Sequence, residues 1–204
     1  MLDIGASLYG SAVTDPQNLR LDRGNDASNR RQYFVANYVY ELPFGTGRRF
    51  ASSSKPLNLI IGGWQTTGIL TLGSGLPYSV TFSSAVEGWP SNYADRIGNP
   101  HVDHSSLTEW FNPAAFALPA PFTYGNSGAM KYFGPHYTNW DTSIARGFSL
   151  EEKYKFTFSA DLFNSLNHAN FNNPASNISV PNQVGQITSA GNPRNVQFSL
   201  RLVF

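Results

Sequence analysis

Cysteine is missing from all 204 residues. That excludes a disulfide framework and any thiolate metal site. Charge is scarce as well: Asp, Glu, Lys and Arg make up 13% of the chain, about half of the roughly 25% usual in soluble domains. With a net charge of +1, no strong field points to nucleic acid or to acidic substrates. There is no apolar run of about 18 residues, so no helix crosses a bilayer. The first residues, MLDIGASLYG, lack a basic stretch followed by an apolar core, so no signal peptide is expected there. Fixed-period repeats are absent too.

Aromatics, glycine and proline are plentiful, which favours many turns over long helices. Apolar residues recur at every second position, the signature of strands with two unlike faces. In Tyr154–Phe163, Tyr154, Phe156, Phe158, Ala160 and Leu162 oppose Lys155, Thr157, Ser159 and Asp161. In Asn139–Leu150, Trp140, Thr142, Ile144, Phe148 and Leu150 oppose Asn139, Asp141, Ser143 and Ala145. Arg146 falls on that apolar face, a cost unless it snorkels to an interface. The last segment sets Val196, Phe198, Leu200, Leu202 and Phe204 against Asn195, Gln197, Ser199 and Arg201. Tyr33–Leu42 and Ile60–Phe82 alternate likewise, with Ile69 out of pattern, and Leu2–Gly10 alternates weakly. No segment reads as a helix.

The expected fold is therefore all-β: an antiparallel up-and-down meander of about six strands. Ten residues at about 3.3 Å each, tilted about 45°, rise about 23 Å, the height of the apolar band of an outer-membrane barrel. A soluble sandwich also alternates, and burial of Phe156, Phe158, Phe198 and Leu200 between two stacked layers would select it. The connections favour the barrel. If the last strand ends at the periplasm, Thr14–Arg30, Ser83–Tyr137 and Asn164–Pro193 lie outside. Leu42–Pro56 and Ser149–Lys153 then lie inside, and both are shorter than the two longest outer segments, as in such barrels. Tyr38, Tyr40, Phe44, Phe148, Tyr154 and Phe204 fall near periplasmic strand ends, where amphipathic rings favour headgroups, although aromatics suit any strand.

Catalytic signatures are lacking. GNSGAM around Ser127 has the wrong spacing for a nucleophile elbow. GTGRRF, Gly45–Phe50, lacks the lysine and hydroxyl of a phosphate loop. His101, Asp103 and His104 are close in sequence, but a zinc site needs three or four ligands and a supporting shell, so they read as solvated loop residues. Asp141 and Asp161 fall on polar strand faces, which are polar in any barrel lumen. No enzymatic activity, catalytic residue, metal or cofactor is expected. Among the loop aromatics, Trp110, Phe111 and Phe116 in WFNPAAF read as self-packing. Trp89 and Tyr93 are the candidates for ligand contact at an outer mouth.

Six segments in order carry a family resemblance: RQYFVANYVYELPFGTGRRF, IGGWQTTGILTLGSGLPYSV, WFNPAAFALPAPFTYGNSG, FGPHYTNWDTSI, FTFSADLFNSLNHANFNNP and RNVQFSLRLVF. Together they resemble the C-terminal end of TonB-dependent outer-membrane receptors of the Oar-like kind, which begin with a carboxypeptidase-regulatory-like domain. The resemblance covers about Asp15 to Phe204. It implies a barrel of about 22 strands, an N-terminal plug and a segment that engages TonB. On that reading residues 1–204 are the C-terminal portion of a barrel, a fragment without plug, TonB-contacting segment or first strands. It implies nutrient uptake across the outer membrane of a Gram-negative bacterium. The partners would be the missing strands and plug, outer-membrane lipid and the barrel assembly machinery, with TonB reached only through the absent parts and no nucleic acid. Trp140, Ile144, Phe156, Phe158 and Leu162 would face lipid with Val196 to Leu202, and terminal Phe204 would complete the assembly signal. The alternatives are a secreted sandwich that binds carbohydrate through loop aromatics and a small oligomeric outer-membrane structural protein.

Overall fold

A computed structural model describes residues 14–15, 17–45, 47–50, 54–83, 92–150 and 154–204. Along the chain run β1 (Tyr33–Glu41), α1 (Lys55–Ile61), β2 (Trp64–Gly73), β3 (Pro77–Tyr78), β4 (Asp95–Arg96), β5 (Phe116–Ala117), β6 (Tyr132–Phe133), β7 (Tyr137–Leu150), β8 (Tyr154–Phe163) and β9 (Asn195–Val203). They belong to two compact units. A sheet unit holds Tyr33–Leu72, Thr138–Asn170 and Asn192–Phe204; a loop unit holds Met1–Gln32, Gly73–Tyr137 and Phe171–Gly191.

The sheet unit is a five-stranded antiparallel sheet in the order β1-β2-β7-β8-β9. Each long strand pairs with the next long strand in the chain, so the fold is the expected up-and-down meander. The bounds of β8 coincide with the alternating stretch Tyr154–Phe163. Those of β1, β7 and β9 lie within two residues of theirs. Leu2–Gly10 lies outside the described residues.

One expectation is corrected. Ile60–Phe82 does not begin as a strand, because Lys55–Ile61 is helical and β2 starts only at Trp64. Pro56 fits the first turn, where its missing N–H costs nothing. Gly63, at φ 75°, then reverses the chain into β2 with a left-handed step that a side chain would resist.

The sheet is a single layer. Phe198 and Leu200 are 69% and 67% exposed, and Phe156 and Phe158 are half-buried. Stacked layers would have buried all four, and no second sheet covers them among the described residues. β1 and β9 form the two edges. Every residue of β9 is exposed, as is every residue of β1 except Ala36. Three strands lie between these edges, so β1 and β9 run in the same direction.

The loop unit has a core of its own. Val80 and Ala94 are fully buried, with Tyr78, Phe111, Ala115, Phe116 and Val184 around them. The rings of Phe111 and Phe116 meet edge to face at 5.6 Å, as do those of Phe116 and Tyr132 at 5.4 Å, a geometry favoured by ring quadrupoles. Asn112 accepts from the Ala114 N–H to cap a one-turn helix, Pro113–Ala115. That turn presents Phe111 and Phe116 to the core, so WFNPAAF packs on itself as expected. Two-stranded ladders, β3 with β6 and β4 with β5, hold the unit together. Other links join distant segments: Trp110 N–H donates to Gly185 O at 2.7 Å, Thr81 N–H to Ser176 O at 2.9 Å, and Asn25 Nδ2 to Met130 O at 2.6 Å. The described parts of Thr14–Arg30 and Ser83–Tyr137 therefore form one folded body with Phe171–Gly191, while Asn164–Asn170 stays with the sheet unit.

Candidate functional site

Register sorts the sheet into two chemically distinct faces. Across β7, β8 and β9, one face carries the rows Thr142–Leu162–Val196, Ile144–Ala160–Phe198, Arg146–Phe158–Leu200 and Phe148–Phe156–Leu202. Phe148 and Phe156 stack at 5.3 Å, and Phe158 and Phe198 at 6.3 Å. Cross-strand pairs of this kind stabilise a sheet by about 0.2–1 kcal/mol each. Trp140 falls on the same face by alternation. Phe204 follows the end of β9 and is exposed. The sequence-predicted apolar residues of β7, β8 and β9 thus lie on one surface.

That surface extends to β2 and β1. Trp64 meets Phe158 edge-on at 6.2 Å. The Tyr38 ring lies over Gly68, where an added Cβ would stand 2.6 Å from it. A glycine here leaves room for an aromatic on the neighbouring strand. Tyr38, Tyr40, Phe44, Phe148, Tyr154 and Phe204 are all exposed.

The opposite face is hydrophilic. Its rows are Ser143–Asp161–Gln197, Ala145–Ser159–Ser199 and Gly147–Thr157–Arg201. Asp161 accepts from Ser143 Oγ and, at its other oxygen, from Ser159 Oγ. Ser159 and Ser199 share a further hydroxyl bond of 2.8 Å. Asp141 instead accepts from the Asn164 N–H at 2.8 Å. The two carboxylates thus have separate structural partners.

Arg146 escapes the cost of its apolar row. Its Nη1 donates to Ile60 O at 2.7 Å and its guanidinium lies 5.7 Å from the Trp64 ring centroid. Trp64 Nε1 donates to the same carbonyl at 3.0 Å. One carbonyl in the last turn of α1 therefore receives two side chains from the apolar face.

After β8 the chain turns on asparagines. Asn164 and Asn167 both take φ 52°, a conformation Asn tolerates better than most residues. Asn164 is buried; its side chain accepts from the His168 N–H and donates to His168 O and Asn192 O. This ties the end of β8 to the approach to β9. The Asn-rich segment is the turn-forming base that its composition suggested.

In the loop unit Tyr93 is half-buried beside Thr81, with which it forms a bridge. Burial, then the nearby Asp22 carboxylate, raise its pKa. Trp89 lies outside the described residues. Among the described residues, Phe122 is the most exposed aromatic of this unit. His101, Asp103 and His104 are exposed, and no group of three or more metal-ligating side chains gathers among the described residues.

A family model described as an outer membrane beta barrel domain matches residues 2–197. No curated protein and no solved structure matches the chain.

Proposed function

The chain belongs to the outer membrane beta barrel domain family, and from that premise we propose that it forms wall strands and outer loops of a TonB-dependent receptor of the Oar-like kind. Such a receptor takes up a nutrient across the outer membrane of a Gram-negative bacterium. The outer-membrane location follows from the family; the transport role rests on the six sequence segments quoted above. The observation that carries the reading is the single-layer sheet, with an apolar face continuous over three strands and, among the described residues, no strand beyond β1 or β9. Lipid leaves no unpaired backbone satisfied, so a membrane sheet must close. Further strands complete this one, a plug meets its hydroxyl-rich face, and TonB acts through that plug. Val196, Phe198, Leu200 and Leu202 face hydrocarbon with Ile144, Phe156, Phe158 and Leu162, and the assembly machinery reads β9 with Phe204. The protein is a transporter component and not an enzyme.

Closure by identical copies is the weaker reading. Among the described strands β1 and β9 run the same way, so copies closing through these two edges would meet at a parallel seam, which bacterial single-chain barrels avoid.

Single cysteines in the protein, kept in outer membranes, test the wall. Positions 158 and 198 should resist a water-soluble maleimide and be quenched by acyl-chain spin labels, with 159 and 199 behaving oppositely. Equal aqueous labelling of both sets would overturn the reading. Transport is tested by growth of the source bacterium on a panel of carbon and iron sources. At least one source should fail to support both the gene deletion and a TonB deletion; no shared loss rejects the TonB assignment.

A further inference from the structure

The connection from β1 to β2 joins cations with exposed apolar groups. Residues 42–63 contain Arg48, Arg49 and Lys55 and no acidic residue. They also display large apolar groups: Phe50 is 52% exposed and Ile60 65%, with Phe44 and Leu57 exposed as well. A connection in water would not hold several rings and aliphatic chains outward together. The display is built. Phe44 and Phe50 form a bridge fixed by Gly45 N–H to Phe50 O at 3.1 Å and Phe50 N–H to Pro43 O at 3.0 Å. Their rings lie 5.8 Å apart, and the Arg49 guanidinium sits 5.5 Å from the Phe50 ring centroid.

The side on which α1 lies follows from one carbonyl. Ile60 O is held by Arg146 and Trp64, two side chains of the apolar sheet face. The last turn of α1 is thus fastened on the lipid side of the wall and not on the hydroxyl-rich side. Charge at this end is mixed but net positive. Arg48 is paired with Glu41 at 2.5 Å. Lys155 and Arg201 lie on the polar face of neighbouring strands. Arg49 lies beside the exposed Phe50 ring.

We propose that Phe44, Arg49, Phe50 and Ile60 of this connection dock on anionic glycerophospholipid headgroups of the inner leaflet. Phe44, Phe50 and Ile60 would insert at the headgroup–acyl boundary, and Arg49 would face the phosphates. Two complementarities select this occupant. Cations without acids fit an anionic surface, which attracts each nearby Lys or Arg by an amount equal to about a fivefold preference. Exposed aromatic and aliphatic groups fit the boundary region, where amphipathic elements lie in the plane of the membrane. The inner leaflet is chosen because this connection leaves the end of the sheet opposite the long segments. The inference rests on the barrel reading, which sets the sheet in a bilayer with this end at the periplasm.

The test uses the protein in nanodiscs of phosphatidylethanolamine, with or without phosphatidylglycerol. One fluorophore is placed at Leu57→Cys and another, in a separate variant, at Phe198→Cys. Spin-labelled lipids act as quenchers, in the headgroup region for position 57 and in the acyl chain for position 198. Position 57 should be quenched, and more strongly with phosphatidylglycerol. Arg49→Gln should cut that preference about fivefold, while Arg49→Lys should largely retain it. Arg20→Gln, in the loop unit, should leave it unchanged. Quenching at 198 without quenching at 57 overturns this inference alone; no quenching at 198 defeats the barrel reading. A preference for lipid A over phosphatidylglycerol also overturns it, since that lipid belongs to the other leaflet.

Discussion

The two units solve opposite packing problems with the same residue types. In the loop unit phenylalanines are driven inward: Phe111 is 4% exposed and closes a small aromatic core. In the sheet unit phenylalanines are held outward, and Phe198 stands in the open on the last strand. A loop unit surrounded by water needs a core; a sheet whose solvent is hydrocarbon needs an apolar exterior. Burial alone therefore says little about which residues matter, because the solvent differs between the two bodies.

Equivalent truncations in the two bodies sharpen this contrast most. Phe111→Ala should destabilise the loop unit by about 4 kcal/mol through the lost burial and the cavity left behind. Phe198→Ala should cost under about 1 kcal/mol, since its ring loses lipid contact and one stacked neighbour. Denaturant titration of the reconstituted protein, followed by a probe in each unit, measures both. Similar losses would mean the two bodies share one environment.

A charge scan comes next. Phe158→Arg should cost about 3 kcal/mol if its row lies near the bilayer midplane, whereas Ser159→Arg on the wet face should cost little. Folding yield into lipid vesicles reads the difference. A smaller effect is expected at Gly68→Val, where the new side chain would collide with the Tyr38 ring. Overpacking there should destabilise by about 2 kcal/mol, and Tyr38→Ala in the same chain should recover part of the loss.

The mildest test is alkaline pH. Burial, then Tyr132, raise the Tyr78 pKa well above its ordinary 10.0, and burial raises that of Tyr132. The folded loop unit therefore holds these phenolic protons more tightly than the unfolded chain. Their contribution is complete below pH 10 and is lost as pH rises above it. By pH 11 Tyr78 should weaken the loop unit by about 1 kcal/mol. Tyr78→Phe should flatten that slope, measured by unfolding at a series of pH values, while the sheet unit shows no matching change.

The sheet was legible because its information is local. Alternation along Tyr154–Phe163 or Asn195–Phe204 assigns each side chain to a face without reference to any other segment, and one residue of slip would invert it. The loop unit was legible only where its packing is also local, as in WFNPAAF. Tyr78, Ala94, Phe116 and Val184 come from distant stretches, and no period links them, so their core appears only once the chain has closed. Helix α1 was missed because Leu57–Ile61 is a short apolar run that fits strand or helix alike. Pro56 and Gly63, flanking it, were the usable punctuation. The link between Arg146 and Ile60 spans 86 residues, beyond the reach of any pattern. The apolar candidates on β7, β8 and β9 do gather on one surface, while Tyr93 is partly enclosed by its own unit.

The stitching of the loop unit limits how its surface can be altered. Its pieces are threaded through one another: Trp110 leans on Gly185, Thr81 on Ser176, and Asn25 on Met130. Grafting one of these segments from a relative would orphan the backbone groups of the others. A change of surface in this unit has to travel as a set of three co-selected inserts, leaving the strands between them as fixed rails.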